Sequence, residues 1–159
     1  MTFRLPLLAL TILALALAGC GSSTETTGGA TEAAAPEPLT KTELIAKADA
    51  ICTDIQKKID AIPSPESIED LASAIGKQMA ISGPGVKKLQ ALVPPEELAS
   101  KYDSWTAKLQ ELQEGTGEVR EAAASGSQEQ VQKVIGEVDK VNTEADQIGK
   151  AIGLKACAK

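Results

Sequence analysis

Three cysteines and one series of carboxylates hold most of the reactive potential of this 159-residue chain. The thiols of Cys20, Cys52 and Cys157 can be acylated, paired by oxidation, or used to hold a metal. Glu111, Glu114, Glu118 and Glu121 are spaced 3, 4 and 3 apart, which aligns four carboxylates along one helix, as in the di-metal sites of helical bundles. The chain has no histidine, so the Glu-x-x-His pairs of such a site cannot be built. At helical spacing the series also centres about 170° away from the apolar stripe of Leu98, Trp105 and Leu109, on the face expected to meet water. No serine, lysine or carboxylate forms a recognisable nucleophile arrangement, and the glycines match no phosphate-cradling loop. The expectation is a protein without catalytic residues, bound metal or cofactor.

Cys20 closes a segment with its own logic. Arg4 supplies one positive charge, and Leu5 to Ala18 is an apolar stretch of 14 residues, shorter than the roughly 20 needed to span a bilayer. This order predicts an export signal. The ending Leu17-Ala18-Gly19-Cys20 resembles the lipobox of bacterial lipoproteins. That resemblance implies cleavage before Cys20, a diacylglyceryl group on its thiol, and attachment to the membrane on its extracytoplasmic side, where two acyl chains hold stably and one is marginal. Residues 1–19 are therefore expected to be a lipoprotein signal peptide, with Cys20 the lipidation site. The formal charge of -6, with acids and bases interspersed, excludes a basic footprint for nucleic acid and any attraction to anionic lipid.

Gly21 to Pro38 holds only Gly, Ser, Thr, Ala, Glu and Pro, too little apolar surface to order itself. Residues 20–39 are thus expected to be the lipidated cysteine and a disordered linker, with a reach of roughly 25 Å, and residues 40–159 the folded domain. Aromatics are only 2% of the chain, and the abundance of Ala, Leu, Glu, Lys and Gln favours helix. Thr40 and Glu43 form a capping-box signal. The helix they open carries Ile45, Ala48, Cys52, Ile55, Ile59 and Ile62 on one stripe, and Pro63 and Pro65 stop it. Ser64-Pro65 predicts the start of a second helix through Ile68, Leu71, Ile75 and Met79. Ser82-Gly83-Pro84-Gly85 is expected to break that helix, with a short amphipathic segment (Val86, Leu89, Leu92, Val93) beyond. A third stripe runs through Leu98, Tyr102, Trp105, Leu109, Leu112, Thr116 and Val119, with Gly115 and Gly117 weakening its end. The fourth, capped by Ser127 and closed by Gly153 as a left-handed residue, carries Val131, Val134, Val138, Val141, Ala145, Ile148 and Ile152. Four such stripes predict an all-α fold, an antiparallel up-down four-helix bundle with a broken second helix and both chain ends at one pole.

In that arrangement the end of the fourth helix lies beside the start of the first, and the residues from Gly153 to Cys157 span about 14 Å when extended. Cys52 and Cys157 are an even pair in a chain expected to be exported, so a disulfide is predicted. A redox or metal-binding pair is the alternative. It has no Cys-x-x-Cys spacing and no histidine to support it, and Cys52 sits on an apolar stripe rather than in an electropositive setting.

Ala48-Asp49-Ala50-Ile51-Cys52, Leu92-Val93-Pro94-Pro95, Tyr102, and Gly153-Leu154 before Cys157 resemble small exported helical proteins and lipoproteins of actinobacteria. The likeness covers residues 40–159 and implies the bundle, the disulfide and an envelope location; it carries no functional site. Tyr102 and Trp105, the chain's single Tyr and Trp, lie one turn apart on the inner edge of the third stripe, where core packing or the lining of an apolar pocket is expected. The function expected is that of a membrane-anchored, non-catalytic envelope module contacting another protein. The alternative is an extracytoplasmic binder or carrier of a small apolar ligand or lipid.

Overall fold

A computed structural model of the chain describes residues 37–158. The expected signal peptide (1–19), Cys20 and most of the linker lie outside the described residues. Four helices make up the fold: α1 (Lys41–Ile59), α2 (Ile68–Gln90), α3 (Ala99–Ala124) and α4 (Gln128–Ile152), with a short 3-10 turn at Glu96–Leu98 leading into α3. The described residues contain no strand. The described residues form an all-helical fold.

Local chemistry sets most of the helix ends. Thr40 accepts from the Glu43 backbone N–H while the Glu43 carboxylate accepts from the Thr40 N–H at 2.9 Å, so both members of the capping box are made. Ser127 accepts from the Gln130 N–H, and Gly153 closes α4 with φ +108°, a conformation that a Cβ would strain. The second helix differs from expectation at both its start and its middle. Its cap is Ser67, which accepts from the Asp70 N–H at 3.1 Å, rather than Ser64.

The break expected at Ser82-Gly83-Pro84-Gly85 does not occur, and α2 passes through Pro84 as one helix. An interior proline costs about 3 kcal/mol, yet full burial of an aliphatic side chain is worth about 1.5–3 kcal/mol. A continuous α2 buries both Ile75 and Leu89, and it sets Gly85 against α1, where a Cβ would lie 2.7 Å from Ile55 Cγ1. Tertiary packing overrides the local breaker signals. The glycine that suggests a turn is a point of close helix approach. Gly115 plays the same part on α3, where a Cβ would lie 2.7 Å from Val138 Cγ2.

The helices pack in chain order, α1 on α2, α2 on α3 and α3 on α4, while α1 and α4 do not pack closely along their lengths. Leu89 meets Tyr102, Ser82 meets Gln113, and Met79 lies nearest Gly117. Residue numbers therefore fall along α2 as they rise along α3. Lys108 with Glu144 and Gly115 with Val138 relate α3 to α4 in the same way.

The apolar interior falls into two clusters. One gathers Leu44, Ala48, Leu89, Tyr102, Trp105 and Ile152; the other gathers Ile75, Val119, Ala122, Val131 and Val134 near the opposite end. Leu44, absent from the stripe predicted for α1, is fully buried, and Ile45 is only half-buried. The buried face of α1 is rotated toward Leu44 and Ala48, which join the cluster that also holds Leu89 of α2 and Ile152 of α4.

Candidate functional site

Between the two clusters the stripes of α2 and α3 lose their full burial. Leu109, Leu112 and Thr116 are half-buried, whereas Trp105 before them and Val119 after them are buried. Here the helices enclose a cleft of about 320 Å³. Every helix contributes to its wall: Ile55 from α1, Ser82 and Val86 from α2, Leu109 and Gln113 from α3, and Val138 from α4. The cleft lies where α1 and α4 stand apart.

Its polar groups are amides and hydroxyls. The Gln113 side-chain amide donates to Ser82 Oγ at 2.9 Å, which ties α3 to α2 across the waist. Thr116 Oγ1 donates back to the Leu112 carbonyl. Among the described residues Asp139 is the one charged side chain in the lining, and it is exposed at the rim.

The end of the chain closes one side. After Gly153 it crosses to α1, where the Asp49 carboxylate accepts the backbone N–H groups of Lys155 at 3.0 Å and Ala156 at 2.8 Å. Cys157 is disulfide-bonded to Cys52, across 105 residues of sequence, and both cysteines line the cleft. A disulfide at this position is inert as a metal ligand. Asp49 gave no signal in the sequence beyond its place in the Ala48–Cys52 stretch, because its partners are backbone groups more than a hundred residues away.

The structure separates the two aromatic candidates. Trp105 is fully buried and lines the cleft. Tyr102 is also buried, but it is absent from the lining, and its hydroxyl donates to the Leu89 carbonyl at 2.8 Å. Burial holds the Tyr102 phenol protonated well above its ordinary pKa. The rings lie 5.4 Å apart and tilted, a favourable arrangement for an aromatic pair. Trp105 Nε1 is buried without a hydrogen-bond partner, and it is close to Gly149, where a Cβ would lie 3.2 Å from it.

Glu111, Glu114, Glu118 and Glu121 are all exposed on the outer face of α3. Glu111 and Glu144 both pair with Lys108, at 2.7 and 2.9 Å, and those hydrogen bonds raise the lysine above its usual value. Among the described residues there is no group of three or more Cys, Asp, Glu or His able to hold a metal ion. None of the described helices is long and apolar enough to cross a membrane. Compared with protein-family models, with curated proteins and with solved structures, the chain matches none.

Proposed function

We propose that the chain is an exported lipoprotein, related to the small exported helical proteins of actinobacteria, whose helices form an up-down antiparallel bundle that holds a small molecule. In this reading residues 1–19 direct export and Cys20 carries the lipid. The linker keeps the folded domain near the membrane on its extracytoplasmic side, and the domain is non-catalytic. The observation that supports a binding role is the cleft: a recess of about 320 Å³ with wall residues from every helix, within the size range of small-molecule sites. A bundle built for stability alone would close its waist with apolar side chains. Docking to another envelope protein has less behind it, since Ile135 is the one large hydrophobic side chain exposed among the described residues, far short of an apolar patch.

Mass spectrometry of the full chain taken from the membrane fraction tests both halves. The intact mass is expected to correspond to a chain that starts at Cys20 and carries diacylglycerol; an unlipidated chain overturns the anchor. Under native conditions a small molecule is expected to accompany the protein and to leave on denaturation. A chain that arrives empty and takes up nothing from envelope extracts overturns the binding role.

A further inference from the structure

We propose that the cleft takes an uncharged amphiphile of single-chain size, one apolar tail with a small amide or hydroxyl head. This deepens the binding role above and rests on it. Size supplies the first part. A volume of about 320 Å³ is at the lower end of small-molecule sites, room for one chain or a small ring system but not for a two-chain lipid. The wall supplies the second. Ile55, Val86, Leu109 and Val138 present aliphatic surface from four different helices, so a tail laid among them loses water along each of these walls.

Charge supplies the third. Among the described residues, no Lys or Arg lines the cleft. A sulfate, phosphate or carboxylate head would be desolvated there without a counter-charge, and it would meet Asp139 at the rim. A desolvated anion without a partner is strongly disfavoured. A cationic head has only Asp139, which is exposed and therefore well screened by water. The groups placed to recognise a head are neutral: the Gln113 amide and Ser82 hydroxyl, already bonded to one another at 2.9 Å, and the hydroxyl of Thr116. Gln113 has a second N–H and both residues have spare acceptor capacity, which suits a ligand carrying both a donor and an acceptor.

The test uses the full chain from the membrane fraction, reconstituted into phosphatidylcholine liposomes. Trp105 is the chain's only Trp and lines the cleft, so its emission reports occupancy. Decanamide, decyl sulfate and decyltrimethylammonium share a ten-carbon tail and differ in head charge. Decanamide is expected to change Trp105 emission saturably, with each charged probe requiring at least a tenfold higher concentration. An Asp139→Lys variant, which sets a cation at the rim of the cleft, is expected to bind decyl sulfate at least tenfold better than the original protein does. A charged probe that equals or surpasses decanamide on the original protein overturns the ligand class while the cleft stands as a site. If no probe changes the emission saturably, the binding role itself fails. If Asp139→Lys leaves the decyl sulfate affinity unchanged, the bound probe is outside the cleft and the proposal falls.

Discussion

Asp49 and Ala156 are 107 positions apart, and the carboxylate of the first accepts the backbone N–H of the second at 2.8 Å. The same carboxylate accepts from Lys155 at 3.0 Å, so one side chain on α1 gathers successive amides of a segment that has no regular structure of its own. Ionised acceptors make the stronger class of hydrogen bond, and orphaned amides are costly. Asp49→Ala is therefore expected to lower unfolding free energy by about 1–3 kcal/mol. Amide hydrogen exchange at Lys155 and Ala156 should quicken more than at any position in α4. Unchanged exchange there would mean that the disulfide alone holds the tail.

The Cys52–Cys157 bond closes a loop of 105 residues. In the chain-entropy account a loop of about 100 residues is worth about 4.7 kcal/mol, and removal of native disulfides from small domains costs about 2–5 kcal/mol. The Cys52→Ser, Cys157→Ser double variant is expected to fall in that range by denaturant unfolding. Because α1 and α4 do not pack closely along their lengths, this cross-link and the Asp49 clamp join the apolar contacts of Leu44 and Ala48 in tying the first helix to the end of the chain. Helix content should persist in the double variant under native conditions, while protection of the α1 amides drops.

Two glycines in helices provide a matched pair. At Gly85 an added Cβ would enter the Ile55 side chain, 2.7 Å from Cγ1, whereas at Gly136 it would meet nothing within 4 Å. Alanine gains about 1 kcal/mol of helix propensity at either position. Gly136→Ala is expected to stabilise by about 0.4–1 kcal/mol. Gly85→Ala is expected to destabilise by about 1–3 kcal/mol through overpacking, with partial rescue by Ile55→Val. Thermal unfolding of the four proteins decides it: equal shifts for both glycine variants would mean that α1 is free to move away from α2.

Gly85 also shows why part of this fold was legible in the sequence and part was not. Thr40 with Glu43, Ser127 with Gln130, and Gly153 act within a turn of their own helices, so residue type alone predicts their hydrogen bonds. Ser82-Gly83-Pro84-Gly85 carries an equally local message, and it misleads because the deciding contact is with Ile55 on another helix. The cap of α2 falls at Ser67 rather than at the expected Ser64; the Ser67 hydroxyl accepts from the Asp70 N–H and donates to the Asp70 carboxylate. Of the cleft's wall, the sequence points only to Trp105. Leu109 and Leu112 have the spacing of core residues whether the space before them is filled or empty, and only the separation of α1 from α4 distinguishes these cases.

Tyr102 is the chain's only tyrosine, so absorbance of the phenolate follows one group. Burial raises its pKa above the ordinary value of about 10. Below about pH 10 the phenol is protonated in both folded and unfolded chains, and its contribution to stability is complete. Above that pH the unfolded chain ionises first, so stability declines as pH rises toward the folded pKa. An alkaline titration is expected to show phenolate appearing together with loss of helical circular dichroism. Ionisation near pH 10 with the helices intact would contradict the burial of Tyr102 and its bond to Leu89.

The Ser82–Gln113 hydrogen bond sits between two apolar clusters, where the cleft carries uncharged polar side chains around open space. Two roles for it are separated by stability and binding read together. If the pair serves mainly to hold α2 against α3, its removal costs the net value of a partly buried bond, about 0.5–1.5 kcal/mol, plus any loss of packing. If it serves ligand recognition, replacing both partners with apolar groups of similar shape is neutral or stabilising, because residues placed for binding are commonly kept at the expense of stability. The Ser82→Ala, Gln113→Met double variant keeps most of the volume and removes the polar character. We expect its unfolding free energy to stay within about 1 kcal/mol of the original or to rise, while decanamide loses at least fivefold in affinity as read by Trp105. A variant that is less stable by more than this, yet binds decanamide unchanged, would assign the pair to the scaffold and move head-group recognition elsewhere on the wall.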